Sequence, residues 1–213
     1  VSVLITTTED KTEYEYEDIP IYTFNIPKKP NSKELNGLIK PRGIAHFIEC
    51  LEAIKSNIVH FHSFGRAING FHLKAAKQLG YTTVFTPHLG SQFCIKGTMR
   101  LFDKTNCNGE VIEARCMSCL LYSKGHGNLV SKVAGVGISI LTKYDPLQRF
   151  LPPSLQQAKH RKNELNRIAK DADLVFSIAP WIQKAFEANN IHVTVLIPQG
   201  ISPVFFEKLG SKS

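Results

Sequence analysis

No run in this 213-residue chain is long and apolar enough to span a bilayer: the longest, Val133 to Leu141, is interrupted by Gly135 and Gly137. A secretory leader is also missing from the pattern, because the polar run Thr6 to Asp18 directly follows the first strand-like residues. A cytoplasmic location is expected, at most peripheral to the inner face of a membrane. There is no P-loop, no G-x-G-x-x-G and no Gly-Gly pair, so no phosphate-cradling turn is predicted. Nor does a Ser-His-Asp order stand out. Acidic residues are the minority, 18 against 26 Lys and Arg, for a formal charge of +8. That excess suits an anionic partner or simply a soluble basic surface. Nucleic acid is not expected, since aromatic residues are not interleaved with the charges as stacking platforms require. The five cysteines are an odd number in a mid-sized chain without a leader, which favours reduced thiols or a metal site over a disulfide framework.

What is present reads as one α/β domain. Val1 to Thr6 and Ile19 to Ile26 have strand patterns, and Thr7 to Asp18 suits a loop or an edge strand. Ile44, Phe47, Ile48, Leu51 and Ile54 recur at helical spacing. Ile58 to Gly90 then reads strand, helix, strand: an apolar run ending at His62-Ser63, a helix carrying Ile68, Phe71, Ala75 and Leu79 up to Gly80, and a β-branched run ending at Pro87-His88. Two strands joined by a helix of this length make a parallel βαβ unit. A second unit closes the pattern, with a strand at Leu174 to Ile178, Pro180 opening a helix, and a strand at His192 to Ile197. The expected fold is α/β, a Rossmann-like parallel sheet flanked by helices. Residues 1–202 form the domain, with an irregular cysteine-rich excursion at 89–128, and 203–213 begin a linker or tail.

Chemistry in open parallel sheets gathers outside the carboxyl ends of the strands. His62 and His88 fall there, and a neutral imidazole at such an edge can bond a sugar hydroxyl or move a proton. His60, inside its strand, reads as a satisfied near-core histidine. The cysteines fall as Cys94-x12-Cys107-x8-Cys116-x2-Cys119. The Cys-x2-Cys pair with two further thiols would suit a closed structural zinc site. A redox pair and unligated thiols are the other readings, although Glu110 to Arg115 does not read as the buried strand a thioredoxin-like pair would follow. Lys159, His160, Arg161, Lys162, Arg167 and Lys170 cluster on a long amphipathic helix, as a solvated face or a patch docking on an anionic membrane.

Five segments in order resemble the amino-terminal domain of a family 4 glycosyltransferase. They are Ile58-Val-His-Phe-His-Ser63, Thr83-Val-Phe-Thr-Pro-His-Leu-Gly90, the Cys107-Asn-Gly and Arg115-Cys-Met-Ser-Cys-Leu120 segments, Ala172-Asp-Leu-Val-Phe-Ser177 with Pro180-Trp181, and Val195-Leu-Ile-Pro-Gln-Gly-Ile201. The resemblance implies a GT-B architecture of two Rossmann-like halves. This half would hold a glycan or lipid-linked acceptor, and the carboxy-terminal half, as partner, would bind most of the nucleotide-sugar donor. Transfer is expected to retain anomeric configuration without a catalytic metal. The resemblance gives His88 the catalytic position, supporting developing oxocarbenium charge, and places His62, Ser63, Phe64 and Gly90 on the acceptor side. Leu89 stands where many members have Asp, and Gln199 replaces a common Asn. Without the donor half the chain is expected to be inactive. The alternative is a non-catalytic, zinc-stabilised module that binds carbohydrate or protein.

Overall fold

The computed structural model describes residues 1–9, 13–29, 31–35, 37–65, 67–144 and 150–200. The expected linker at 203–213 lies outside them. The chain opens with strands β1 (Val3–Thr7), β2 (Glu13–Tyr16) and β3 (Ile19–Asn25), which pair among themselves in the order β1-β3-β2. β1 runs parallel to β3, with Val3 opposite Ile21, while β2 returns antiparallel through Glu17 and Asp18. Both of those residues have positive φ (50° and 61°), the mirror-image turn that matches the twist of a two-residue hairpin. β2 is exposed along its whole length and carries Glu13 and Glu15, charges that discourage edge-to-edge pairing.

A short helix α1 (Ser32–Leu35) leads to α2 (Ile44–Ile54), which buries Ile44, Phe47, Cys50 and Leu51 and ends at Lys55 in the left-handed region. The first βαβ unit follows as β4 (Ile58–His62), α3 (Gly70–Gln78) and β5 (Thr82–Thr86). Asn69 caps α3: its side chain accepts from the Phe71 N–H, and His72 Nδ1 accepts from the Asn69 N–H. Gly80 at φ +88° ends the helical turn.

The excursion at 89–128 is more ordered than the sequence pattern suggested. It contains a small hairpin, β6 (Arg100–Leu101) and β7 (Thr105–Asn106), then helix α4 (Glu113–Ser123). The interrupted apolar run after it becomes a second helix, α5 (Asn128–Leu141), packed closely on α4. Gly135 permits the approach, because a Cβ there would stand 2.2 Å from Ser118 Oγ. Helix α6 (Gln157–Asp171), strand β8 (Leu174–Ser177), helix α7 (Pro180–Glu187) and strand β9 (Val195–Leu196) complete the described fold.

β4, β5, β8 and β9 form one parallel sheet in that order. Strand number rises across the sheet, so right-handed crossovers put their helices on one face. The core lies there. Phe61, Phe85 and Val175 from the strands meet Leu73 and Ala76 of α3, Leu165 and Ile168 of α6, and Ile182 and Phe186 of α7. Asp173 ties α6 to the sheet, accepting from the Thr83 N–H (2.9 Å) and pairing with Lys77.

The basic cluster on α6 is divided: Lys170 is exposed, whereas Lys159, His160, Arg161 and Arg167 are half-buried. Lys159 donates to the Thr142 carbonyl, and Arg167 lies 3.9 Å over the Phe71 ring and bonds Gly37 O and Glu164. Arg161 is held below its ordinary pKa by burial, and burial with Arg161 and Arg167 alongside pushes His160 down to about 3. These side chains turn inward because Glu164, itself buried, accepts from the Gly70 N–H at 2.7 Å and draws the helix against the start of α3.

Candidate functional site

His60 and His62 alternate with the core residues Val59 and Phe61 along β4, so both point to the sheet face away from the main core. In register with them on β5 are Val84 and Thr86. His60 Nε2 lies 2.8 Å from Thr86 Oγ1, and its ring stands 4.1 Å from that of His62, centroid to centroid. Ring by ring, the row continues past the end of β5: His62 Nδ1 is 3.0 Å from His88 Nε2, with the two rings nearly parallel at 24°.

His88 is held from three sides. Ser63 sits in the left-handed region (φ 62°), an uncommon conformation for a residue with a side chain, and this turns its hydroxyl to accept the His88 N–H at 2.8 Å. The Ser63 N–H in turn donates to the Thr86 carbonyl (2.9 Å), extending the ladder one residue beyond the strands. From the loop after β9, Gln199 Nε2 approaches His88 Nδ1 at 3.1 Å. With the Gln199 amide donating, His88 Nδ1 is the acceptor and its proton sits on Nε2, aimed at His62 Nδ1. The His62 proton is then on Nε2, on an exposed ring. Burial, followed by the neighbouring imidazoles, holds His60 below the ordinary histidine pKa, and burial and His88 do the same for His62. His60 and His62 are therefore neutral imidazoles at pH 7, each with one donor and one acceptor.

Of the residues expected from the sequence, His62, Ser63 and His88 come together at the carboxyl edge of the sheet. Phe64 and Gly90 do not share their cluster. The Phe64 ring packs at 4.6 Å from Phe85 and 6.4 Å from Phe61, within the core. Gly90 lies beneath the 97–99 turn, where a Cβ would meet Met99 Cγ at 2.8 Å, so glycine is needed there for packing. Leu89 is exposed, and the orientation of His88 falls to Gln199 and Ser63 instead of an adjacent carboxylate. Gln199 is separated from His88 by 111 positions and was visible in the sequence only as a departure from the resembled motif.

The cysteines gather elsewhere. Cys94, Cys107, Cys116 and Cys119 line one cavity of about 20 Å³, together with Lys96 and Arg115. That volume admits one water-sized occupant. Cys119 Sγ accepts from the Phe102 N–H at 3.1 Å. Burial pushes the Cys116 thiol up to about 11, the opposite of the depressed value a redox nucleophile requires. Cys116 and Cys119 lie within α4, and the six residues between β7 and that helix are not strand, so a thioredoxin-like setting is not formed. None of the five cysteines forms a disulfide, and among the described residues no group of three or more His, Cys, Asp or Glu is placed to hold a metal ion. These four thiols thus share a cavity without forming a metal-binding group. Comparison with protein-family models, with curated proteins and with solved structures returns no match.

Proposed function

We propose that this chain is the acceptor-side half of a retaining glycosyltransferase that moves a sugar from a nucleotide-sugar donor to a glycan or lipid-linked acceptor. The observation that carries the reading is the Gln199–His88–His62 hydrogen-bonded row at the carboxyl edge of a parallel sheet. Imidazoles held by such hydrogen bonds suit hydroxyl-rich ligands, because each ring can present a donor or an acceptor in a fixed direction. His88 has the catalytic role in this reading, stabilising positive charge as the bond from the sugar C1 to the diphosphate breaks and the acceptor oxygen bonds C1. The acceptor proton leaves with the diphosphate. His62 and Ser63 form the acceptor wall. The donor is held mainly by a second Rossmann-like half, with basic groups and a helix amino terminus on the diphosphate.

The test is sugar transfer, followed as nucleoside diphosphate release, by the full reading frame containing this chain. His88→Ala is expected to lower transfer at least ~100-fold while far-ultraviolet circular dichroism stays unchanged. Transfer within about twofold of wild type would remove His88 from the chemistry and the proposal with it. A second reading is a non-catalytic, zinc-stabilised module that binds carbohydrate or protein; the four thiols on one cavity speak for it, and the lack of a metal-holding group among the described residues speaks against it. It requires about one zinc per chain in protein purified under reducing, chelator-free conditions, together with no transfer.

A further inference from the structure

Helix α5 is built inside out. Its contact with α4 is made by small and polar residues: Ser131, Gly135, Ser139 and the following Thr142 are buried, four or three positions apart. Leu129, Val133, Val136 and Ile140 recur on the opposite side of the same helix and are 75%, 67%, 49% and 48% exposed. Val130 and Leu141 widen this stripe, and Tyr144 extends it beyond the last turn. A surface helix of a soluble domain buries its apolar face and shows its polar one. This one packs through closely spaced small residues, as helices do where the surroundings are as apolar as the side chains.

Charge distinguishes among possible coverings for the stripe. From Ala114 to Tyr144 the sequence has no Asp or Glu, while Lys124, Lys132 and Lys143 are all exposed. By helical geometry Lys132 and Lys143 project along one edge of the apolar stripe. The acids that bound this segment in the sequence are Glu113, which accepts from the Thr142 hydroxyl at 3.3 Å, and Asp145. A protein partner or a second copy would be served by mixed charges around an apolar centre, whereas the exposed lysines described beside this stripe are complementary to a surface of anionic headgroups. α5 has 14 residues, and no helix among the described residues is long and apolar enough to cross a membrane. The fitting geometry is a helix lying in the plane of the interface, its apolar stripe at the acyl boundary and its lysines at the phosphates.

We infer that the exposed face of α5 is a docking surface for an anionic lipid bilayer. The surface is distinct from α6, where the sequence had suggested basic docking, and it does not depend on the glycosyltransferase reading. Vesicle binding and sugar transfer are separate measurements, so either can fail alone.

The purified chain is mixed with phosphatidylcholine vesicles, with or without about one third phosphatidylglycerol, and bound protein is separated by flotation. Binding is expected to anionic vesicles at low salt, at least ~10-fold weaker to neutral vesicles, and weakened again by added salt. Val133→Asp with Ile140→Asp is expected to lower anionic-vesicle binding at least ~10-fold, with an unchanged circular dichroism spectrum because both positions are exposed. Lys132→Glu with Lys143→Glu is expected to remove the preference for anionic over neutral lipid. The inference is overturned by failure of the wild-type chain to float with anionic vesicles, or by double-Asp binding equal to wild type. It is equally overturned by a wild-type dimer that the double-Asp variant dissociates, since a second copy would then be the covering.

Discussion

Acid should destabilise this fold in part through one buried side chain, His72. It occupies the third position of α3, fully buried, with its ring 5.0 Å from Phe47 and 5.8 Å from Phe24. Nδ1 accepts the Asn69 N–H, and Nε2 is buried without a hydrogen-bond partner. A proton added to this ring would place a charge among aromatic side chains. Burial accordingly pushes the His72 pKa down from 6.5 to about 4. Because the folded value lies below the unfolded one, the unfolded chain binds the proton first. The stability tied to neutral His72 is complete above about pH 6.5 and is lost as pH falls toward about 4. The full displacement corresponds to about 3 kcal/mol, of which about 2 kcal/mol is lost between pH 7.5 and pH 5. His160 loses stability in the same window, so wild-type acid lability alone does not isolate His72. His72→Gln does: glutamine at this position can still accept the Asn69 N–H in a capping box, but does not titrate. Urea unfolding at several pH values should find the variant less stable than wild type near pH 7.5, where the aromatic packing of the ring is missed. The gap should close by about 2 kcal/mol by pH 5. Parallel stability curves for the two proteins across that range would refute the reasoning.

Two predictions concern the segment between β5 and α6. Gly135→Ala should cost about 1–3 kcal/mol, because its Cβ would collide with Ser118, backbone included. Gly137→Ala, with nothing within 4 Å of the added methyl, should instead stabilise by up to about 1 kcal/mol, and thermal unfolding of the pair checks the contrast. Asn189→Ala should loosen the attachment of the excursion to α7. Asn189 Oδ1 accepts from the Val111 N–H (2.9 Å), and its Nδ2 donates to Gly109 O (2.9 Å) and Ala185 O (2.8 Å). Leaving these buried backbone groups unmatched should cost about 1–3 kcal/mol, seen in urea unfolding together with faster hydrogen exchange at the Val111 amide.

Much of the sheet was legible because its signals are local. The β-branched runs at 58–62, 82–86 and 174–177 are bounded by glycine, proline or polar residues, and each became a strand within two residues of its expected limits. His62 and His88 were legible for the same reason, since a strand end is a local feature. The connection from Gln199 to His88 was not, because it depends on the convergence of loops after β5 and β9. Neither was the inward turn of Arg161 and Arg167, because charge on an amphipathic helix reads as solvated unless a buried acid such as Glu164 is known to face it. The segment 128–141 shows a deeper limit. Periodicity tells which residues share a helix face, but not which face meets the protein. Spacing places Leu129, Val133, Val136 and Ile140 together, while only the packing of Ser131, Gly135 and Ser139 against α4 turns that group outward.

Alternation along β4 has a comparable consequence at the candidate site. With Phe61 committed to the core at 5% exposure, His60 and His62 must occupy the other face, and Thr86 opposite His62 must follow. The rising strand order then becomes functional as well as architectural. Right-handed crossovers gather α3, α6 and α7 around Phe61 and Phe85, which leaves the histidine face free of the principal core. A shift of β4 by one residue would put Phe61 beside Thr86 and drive both imidazoles into the aromatic cluster of Phe47, Phe64 and Phe85. The same hydrophobic burial that sets the register of β4 therefore sets the position of His62, and through their hydrogen bond it aligns His88 with the open edge of the sheet.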